Sequence, residues 1–430
     1  MPDNNKAANF LPPRGTRIFF GDELKKRRKI ENILRQTVEK FGFEEIITPT
    51  FEHEEIFTVI NRPVNKKLYK INDYGERKLV LRPEMNAPIC RTIGMNLYKD
   101  DLPQKFYYFA PVYRYERNQH GTYREFWQFG MEYMGAGQPF GEVEIIQVLR
   151  SCMEALSIEG YFFKISNLSL IYKFLLVLGI PEHKLETVAY KIRFSKSETE
   201  VKSILKQYGA KINRINYFLE LRSKNYTIKQ ARQILNRLVK LFKELSIEIE
   251  SLFLFFKVFE QLQLVDKTQV NFRLMRGTNH YNDSIFELHH PDFHGDICGG
   301  GRYDKMVTLY SNNNLKVPAV GAAFGFDRLA LLSKVNFSKS LKEQKVLIIP
   351  LVDNISYIYQ IIDAVSSTKT TMVLYPQLNE IRKALNYATN KNIETVVFIG
   401  AKEVKSKTLS ILNLKNKVKK EILVEDFTRI

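Results

Sequence analysis

The chain is predicted to adopt an α+β fold: an antiparallel sheet flanked by helices over residues 1–335, interrupted by a helical insertion at 167–265, and followed by a small α/β domain at 345–430. Three observations predict it. Aromatic-rich strand runs at 105–114 and 125–134 bracket a polar loop, the pattern of a long antiparallel hairpin. From about 167 to 265, Leu and Lys recur at helical spacing and Gly is scarce. Beyond 345, apolar strand runs alternate with helical segments, which implies a mostly parallel sheet with helices on its faces.

Residues 23–41 read as an amphipathic helix, with Leu24, Ile30, Ile33, Leu34 and Val38 near helical spacing. Gly42 ends it, and 43–48 forms a short strand closed by Pro49. The hairpin loop at 116–123 is rich in donors. Amphipathic runs inside the insertion, such as 231–245, fit core-facing helices better than any cofactor box. Strand signals return at 270–274 and 284–289, and 320–332 passes from a small-residue strand into a helix. A polar linker at 333–344 leads to strands at 346–351, 371–375 and 395–399, separated by helices near 355–365 and 378–389.

At 430 residues the chain exceeds what one core usually supports. Hydrophobic content of 44% beside 26% charged residues reads as globular, and no apolar stretch approaches the roughly 18 residues of a membrane helix. Residues 1–10 carry Asp3 and lack a signal core or transit character, so a secreted role is not expected. Cys90, Cys152 and Cys298 are odd in number and never paired as C-x-x-C, against a disulfide framework or a cysteine zinc site. The formal charge of +18 suits an anionic partner through counterion release. Codon usage in an AT-rich genome, which favours Lys, Asn, Ile, Tyr and Phe, explains it equally well and is compatible with the first cause.

Four segments carry chemistry. Arg276-Gly277-Thr278-Asn279-His280-Tyr281 and Cys298-Gly299-Gly300-Gly301-Arg302-Tyr303-Asp304 place a cation, hydrogen-bonding side chains and bare backbone close together. That combination suits a small polar molecule beside a phosphate. In the hairpin, Arg114 offers a planar fork for phosphate or carboxylate, and Phe126 offers a face for a purine. Gln128 and Glu132 lie on one face of the returning strand; alone, such a pattern also fits cross-strand pairs on a solvated sheet. Finally, 321–328 alternates small and apolar residues before Asp327-Arg328, which admits a flat ring or simple strand–helix packing.

Together these segments resemble the three motifs of class II aminoacyl-tRNA synthetases, in order: the helix and strand ending at Pro49, the Arg114 hairpin, and 321–328. Arg14-Gly15-Thr16 and Leu81-Arg82-Pro83-Glu84 join the two signatures to narrow the resemblance to the histidyl-tRNA synthetase family. Its signatures are usually written R-G-L-D-Y-Y, matched here at Arg276, Gly277 and Tyr281, and C-G-G-G-R-Y-D, matched throughout. The resemblance covers the first 335 or so residues, and the C-terminal domain resembles the family's anticodon-binding domain.

What the resemblance implies is specific. Glu84 and Asn86 would hold the amino group of L-histidine, Arg114 and Gln128 would bracket its carboxylate and the ATP α-phosphate, Glu132 and Tyr281 would read the imidazole, and Arg276 and His280 would join them in binding histidine. Arg276, with Arg114, would stabilise charge at the α-phosphorus, while Phe126 and Arg328 would sandwich adenine. Mg²⁺ would bridge the phosphates with Glu116 supporting it, and no metal would be held by protein ligands alone. Arg117 and Gln119, with Asn118 and His120, would meet the acceptor end of the histidine tRNA. A homodimer is implied, with no DNA or membrane partner, in cytoplasm or, for a plastid-encoded gene, in plastid stroma. Departures from the family pattern are Asn86 for Thr, Thr122 for Arg (His120 or Arg124 would compensate), Asn279 and His280 for Asp and Tyr, and Trp127 for His.

Two decoys are set aside. Arg193-Phe194-Ser195-Lys196-Ser197 resembles the K-M-S-K-S loop of class I synthetases, but no H-I-G-H element precedes it. His289, His290 and His294 with Asp292 and Asp296 lack ligand spacing and read as a hairpin tip with solvated histidines. Rival readings are the regulatory subunit of ATP phosphoribosyltransferase, an inert paralogue that has lost the Arg and the Gly-rich signature, and an RNA-binding pseudo-synthetase.

Overall fold

The computed structural model describes residues 10–59, 67–97, 101–116, 123–275, 281–311, 315–335, 345–366, 371–424 and 426. The chain divides into two compact units, Met1–Val335 and Asn336–Ile430. The first runs through α1 (Gly21–Glu39), β1 (Glu44–Glu45), β2 (Phe51–His53), β3 (Tyr69–Ile71), β4 (Leu79–Leu81), α2 (Asn86–Gly94), β5 (Gln104–Tyr113), β6 (Glu125–Met134), α3 (Phe140–Ala155) and β7 (Phe162–Asn167). A helical stretch follows: α4 (Leu168–Val177), α5 (Leu185–Phe194), α6 (Glu198–Gln207), α7 (Ile212–Arg222), α8 (Ile228–Leu241) and α9 (Ser246–Gln261). The sheet then resumes with β8 (Thr268–Val270), β9 (Ser284–His290), β10 (Phe293–Arg302) and β11 (Ala319–Gly325), and α10 (Phe326–Leu332) closes the unit.

Eight strands form one sheet in the order β1-β5-β6-β11-β10-β9-β7-β8. Its edge pairs, β1 with β5 and β7 with β8, are parallel, and all interior pairs are antiparallel. The hairpin is fully in register from Gln104 opposite Met134 to Tyr113 opposite Glu125. Helix α1 seats Ile30, Leu34 and Val38 in the core at i, i+4, i+8, each fully buried, which is worth about 1.5–3 kcal/mol per side chain. A smaller sheet, β2-β4-β3, carries Arg82 at its end. That guanidinium donates to the Thr48 carbonyl at 2.7 Å and the Pro111 carbonyl at 3.0 Å, tying the turn at Pro49 to the hairpin.

In the helical stretch, Asn167 caps α4 by accepting from the Leu170 amide, and Thr227 with Gln230 forms a capping box on α8. Helix α8 buries Ile228, Ala231, Leu235 and Leu238, one helical stripe. The stretch is pinned to the sheet where Asp283 receives Asn167 and the Ser251 hydroxyl, the latter at 3.0 Å.

Three sequence expectations need correction. The strand expected at 43–48 keeps only Glu44–Glu45 in the ladder. The one expected at 270–274 ends at Val270, because the Asn271 side chain accepts from the Arg273 amide at 2.7 Å and turns the chain. The histidines of the β9–β10 hairpin are not uniformly solvated. His290 is buried, with Nε2 2.7 Å from the Glu159 carbonyl, and His289 stacks on Phe162 beside Glu287.

The second unit contains β12 (Lys345–Pro350), α11 (Ile355–Ser366), β13 (Thr371–Leu374), α12 (Ile381–Asn390), β14 (Thr395–Ile399), α13 (Ala401–Ser406), β15 (Thr408–Asn413) and β16 (Lys419–Leu423). Alternate residues of β12 and β14 feed two cores. Val346, Ile348, Val397 and Ile399 meet Tyr357 and Ile361 on one face, and Leu347, Ile349 and Val396 meet Ala384 and Ala388 on the other. The sheet order is β13-β12-β14-β15-β16, so an antiparallel hairpin extends the parallel strands foreseen from sequence. Among the described residues no helix is long and apolar enough to cross a membrane.

Candidate active site

The sheet interior is opened by missing side chains. Gly321 of β11 faces Glu132 of β6 across the ladder, and a Cβ there would sit 1.6 Å from Glu132 Oε2. Gly300 on β10 is equally constrained, since a Cβ would meet the Gly321 carbonyl at 2.4 Å. The glycines therefore make the space in which a carboxylate is folded into the protein.

Glu132 is 1% exposed. It accepts from the Tyr303 hydroxyl, from Asn86 Nδ2 at 3.1 Å and from the Tyr108 hydroxyl at 3.4 Å. Burial, aided by the nearby Glu84 charge, raises its pKa to about 8 against the pull of the two tyrosine donors. Glu84, also buried, accepts the amides of Asn86 at 2.8 Å and Ala87 at 3.2 Å, capping the first turn of α2. Tyr281 is buried too, its ring 6.2 Å from that of Tyr303 in an edge-on arrangement. Glu84, Asn86, Glu132 and Tyr281, separated by nearly 200 residues of sequence, thus converge on one polar cage.

Beside it lies a cleft of about 300 Å³ whose walls include Arg114, Glu116, Phe126, Gln128 and Arg328, together with Cys298 and Gly299. Arg114 donates Nε to the Pro83 carbonyl at 2.8 Å, and its guanidinium lies 5.3 Å from the Phe126 ring centre. Gln128 Oε1 is buried with no hydrogen-bond partner among the described residues. A buried acceptor left unmet is costly, and a ligand donor in the cleft would satisfy it. Arg328 reaches the cleft from the far side, its guanidinium donating to Asp296 Oδ1 at 3.0 Å. Glu116 is ion-paired with Lys67 at 2.6 Å.

Sequence reasoning missed several groups that set this geometry. Tyr108 is an ordinary aromatic position in a strand reading and Tyr303 stands in the Gly-rich signature with no role assigned, yet both hydroxyls donate to Glu132. Arg302 does not face the cleft: it forks onto both oxygens of buried Glu142 at 2.7 and 2.6 Å and fixes β10 to α3. Asp327 accepts Arg17 and Arg27, each at 2.7 Å, and the Trp127 amide at 3.3 Å. Arg17 in turn lies 3.3 Å over the ring of Tyr123, another cleft wall. Arg276, His280, Arg117 and Gln119, with Asn118, His120, Thr122 and Asn279, lie outside the described residues. Among the described residues no group of three or more His, Cys, Asp or Glu side chains could hold a metal ion.

Comparison with known proteins follows the same division. A sequence model of the family described as histidyl-tRNA synthetase matches residues 15–329, and one described as anticodon binding domain matches 345–430. The histidine–tRNA ligase of Methanocaldococcus jannaschii is 31% identical over 97% of this chain and 99% of its own. That of Sulfolobus acidocaldarius is 28% identical over 97% of each. Among solved structures, histidyl-tRNA synthetase from Nostoc sp. superposes with a TM-score of 0.72 at 20% identity, covering 98% of both chains. A protein from Bacillus halodurans described as ATP phosphoribosyltransferase regulatory subunit/histidyl-tRNA synthetase superposes with 0.74 at 19%, covering 89% of this chain and 96% of its own. At those identities the superpositions speak for the fold.

Proposed function

The chain belongs to the histidyl-tRNA synthetase family, and from that premise we infer how its residues divide the work of an ATP-dependent histidine–tRNA ligase. The carboxylate of L-histidine attacks the α-phosphorus of ATP; the bond to the leaving pyrophosphate breaks, and histidyl-adenylate forms. A terminal ribose hydroxyl of the tRNA then takes the histidyl group and releases AMP.

The observation that carries the assignment is the union of a largely buried polar cage around Glu132 with a cleft that presents Arg114 and Arg328 beside Phe126. In the cage, the Glu132 carboxyl group and the Tyr281 phenol face the two ring nitrogens of imidazole, with His280 assigned to histidine binding from the sequence pattern. Glu84 and Asn86 face the amino group. In the cleft, Arg114 and Gln128 serve the carboxylate and α-phosphate, and Phe126 with Arg328 flanks adenine. Arg276 and Arg114 supply the positive charge that answers the charge spreading over the phosphoryl oxygens. Such transfer needs positioning and electrostatics more than a protein base.

Mg²⁺ fits as an ion carried by the triphosphate, which would neutralise phosphate charge when bound. The cleft offers Glu116 as a carboxylate for it, and that group already faces Lys67. Arg117 and Gln119 on the hairpin loop are assigned to the tRNA acceptor end, and 345–430 to the anticodon. Exposed Ile47 and Phe51, flanking Pro49, support a homodimer through that turn. Cytoplasm, or plastid stroma for a plastid-encoded gene, is the compartment we assign. Retention of the Cys298–Asp304 signature and of the second unit separates the chain from a purely regulatory paralogue.

Histidine-dependent ATP–pyrophosphate exchange tests the reading. Exchange should occur with histidine alone among amino acids, and Arg114→Ala or Arg276→Ala should each lower it by about a hundredfold or more, the scale of one lost transition-state donor. A folded, saturated preparation without exchange would sink the activity; unchanged turnover in a variant would sink the role of that arginine.

A further inference from the structure

Phe126 and Arg328, assigned to the two faces of adenine, stand just beyond the point where their strands are paired. The β6–β11 ladder ends with Gln128 opposite Gly325, after which the chain turns into α10. The next amide of β6, that of Trp127, donates to the Asp327 side chain, Oδ2 at 3.3 Å. A carboxylate thus continues the ladder by one step in place of a backbone carbonyl. Phe126 precedes Trp127 and Arg328 follows Asp327, so this one hydrogen bond joins the neighbours of both adenine plates.

The carboxylate is itself held. Its Oδ1 receives Arg27 of α1 and Arg17 from the chain before that helix, each at 2.7 Å. The Asp327 and Arg27 side chains are only 11% and 10% exposed, so salt screens the pair little. The Phe19 ring lies 4.9 Å from the Arg17 guanidinium and 4.0 Å from that of Arg27, which also sits 4.8 Å from Phe326. Both cations are therefore seated on aromatic faces. Two guanidiniums share one carboxylate, and Arg17 Nε and Arg27 Nη2 have no hydrogen-bond partner among the described residues. Such a cluster is a poor way to stabilise a fold, since desolvating the charges opposes their attraction. What it does is hold Asp327 from two sides with Oδ2 turned to Trp127. Arg17 reaches the cleft by a second route as well, lying 3.3 Å over the ring of Tyr123, one of its walls.

We propose that Asp327, clamped by Arg17 and Arg27, is a positioning residue that sets the width of the adenine slot between Phe126 and Arg328. The inference rests on the reading that this cleft takes ATP. Arg17 and Arg27 are not among the cleft walls, so they act through Asp327 and Tyr123. The effect is confined to the nucleotide. Glu132 is held by Asn86, Tyr108 and Tyr303, none of which belongs to the cluster. Arg328 pairs separately with Asp296, so the cluster governs where its backbone starts and not where its charge is neutralised.

The test uses the full chain with Arg17→Gln, Arg17→Lys and Asp327→Asn, and reads the KM values for ATP and histidine separately in pyrophosphate exchange. Arg17→Gln leaves Asp327 paired with Arg27, and so keeps the test open if Asp327→Asn, which leaves two cations without their anion, fails to fold. Arg17→Gln should raise the KM for ATP roughly three- to tenfold, the scale of one aromatic stacking contact, and leave that for histidine within about twofold. Arg17→Lys, which keeps a cation for Asp327, should restore most of the ATP affinity. A merely structural role would lower the melting temperature and move both KM values together or neither; either result in Arg17→Gln would overturn the proposal. Direct titration with adenosine separates it from the parent activity. If a folded wild type shows no exchange, weaker adenosine binding by Arg17→Gln upholds the positioning role, while equal binding, or none by the wild type, overturns it.

Discussion

Glu132 owes its chemistry to four neighbours drawn from different parts of the chain: Gly321, Asn86, Tyr108 and Tyr303. Its raised pKa makes a stability claim whose sign can be worked out. Between the ordinary value near 4.5 and the folded value near 8, the native state keeps a proton that the unfolded chain releases. Stability from this group is therefore complete below about pH 4.5 and is lost as pH rises toward 8, by about 1.4 kcal/mol per unit. Glu132→Gln removes that slope. The stability of the variant relative to wild type, read from urea midpoints, should grow between pH 5 and pH 8, and histidine activation should fall at every pH. Parallel stability curves would refute the assignment. The carboxylate was legible in the sequence because Gln128 and Glu132 are four apart on a strand. Its protonation was not, because that depends on Tyr108, Tyr303 and Glu84 arriving in space.

The pairing of β10 with β11 shows what an element can say by its composition. Gly299, Gly300 and Gly301 lie opposite Ala323, Ala322 and Gly321, so two strands meet with almost no side-chain volume between them and the cage. Gly321→Ala should cost about 1–3 kcal/mol, as overpacking does, and should raise the KM for histidine far more than that for ATP, since the added methyl lands on Glu132. Thermal unfolding and separate KM values check both parts; equal KM changes would refute the geometry. Long, strongly patterned elements were readable: the hairpin strands and α1 fall within two residues of expectation. The hairpin of β15 and β16 was not, because β16 opens on Lys419, Lys420 and Glu421 and lacks an apolar run, and its turn is set by the Asn413 side chain accepting the amides of Lys415 and Asn416 at 3.0 and 3.1 Å. Arg302 was present in a recognisable signature, but its role as a clamp on Glu142 depends on where α3 packs.

At the scale of the molecule, each unit has its own core, so the two can be separated by experiment. Removing 346–430 should leave pyrophosphate exchange within about twofold while raising the KM for tRNA charging by roughly tenfold or more, as loss of a second tethered contact does. Equal losses in both assays would count against assigning the anticodon to this unit. Asp327 has a consequence of another kind. It gathers Arg17, Arg27 and the Trp127 amide onto one carboxylate, and so joins the beginning of the first unit to its last helix. A ribosome exposes those partners in order, with Asp327 last by 200 residues. Loop closure over such a span is a slow event, and domains complete themselves as their chain emerges. The cleft proposed for the nucleotide is therefore among the final features to form during synthesis, and a nascent chain stalled before Asp327 has its hairpin but lacks that wall of the cleft.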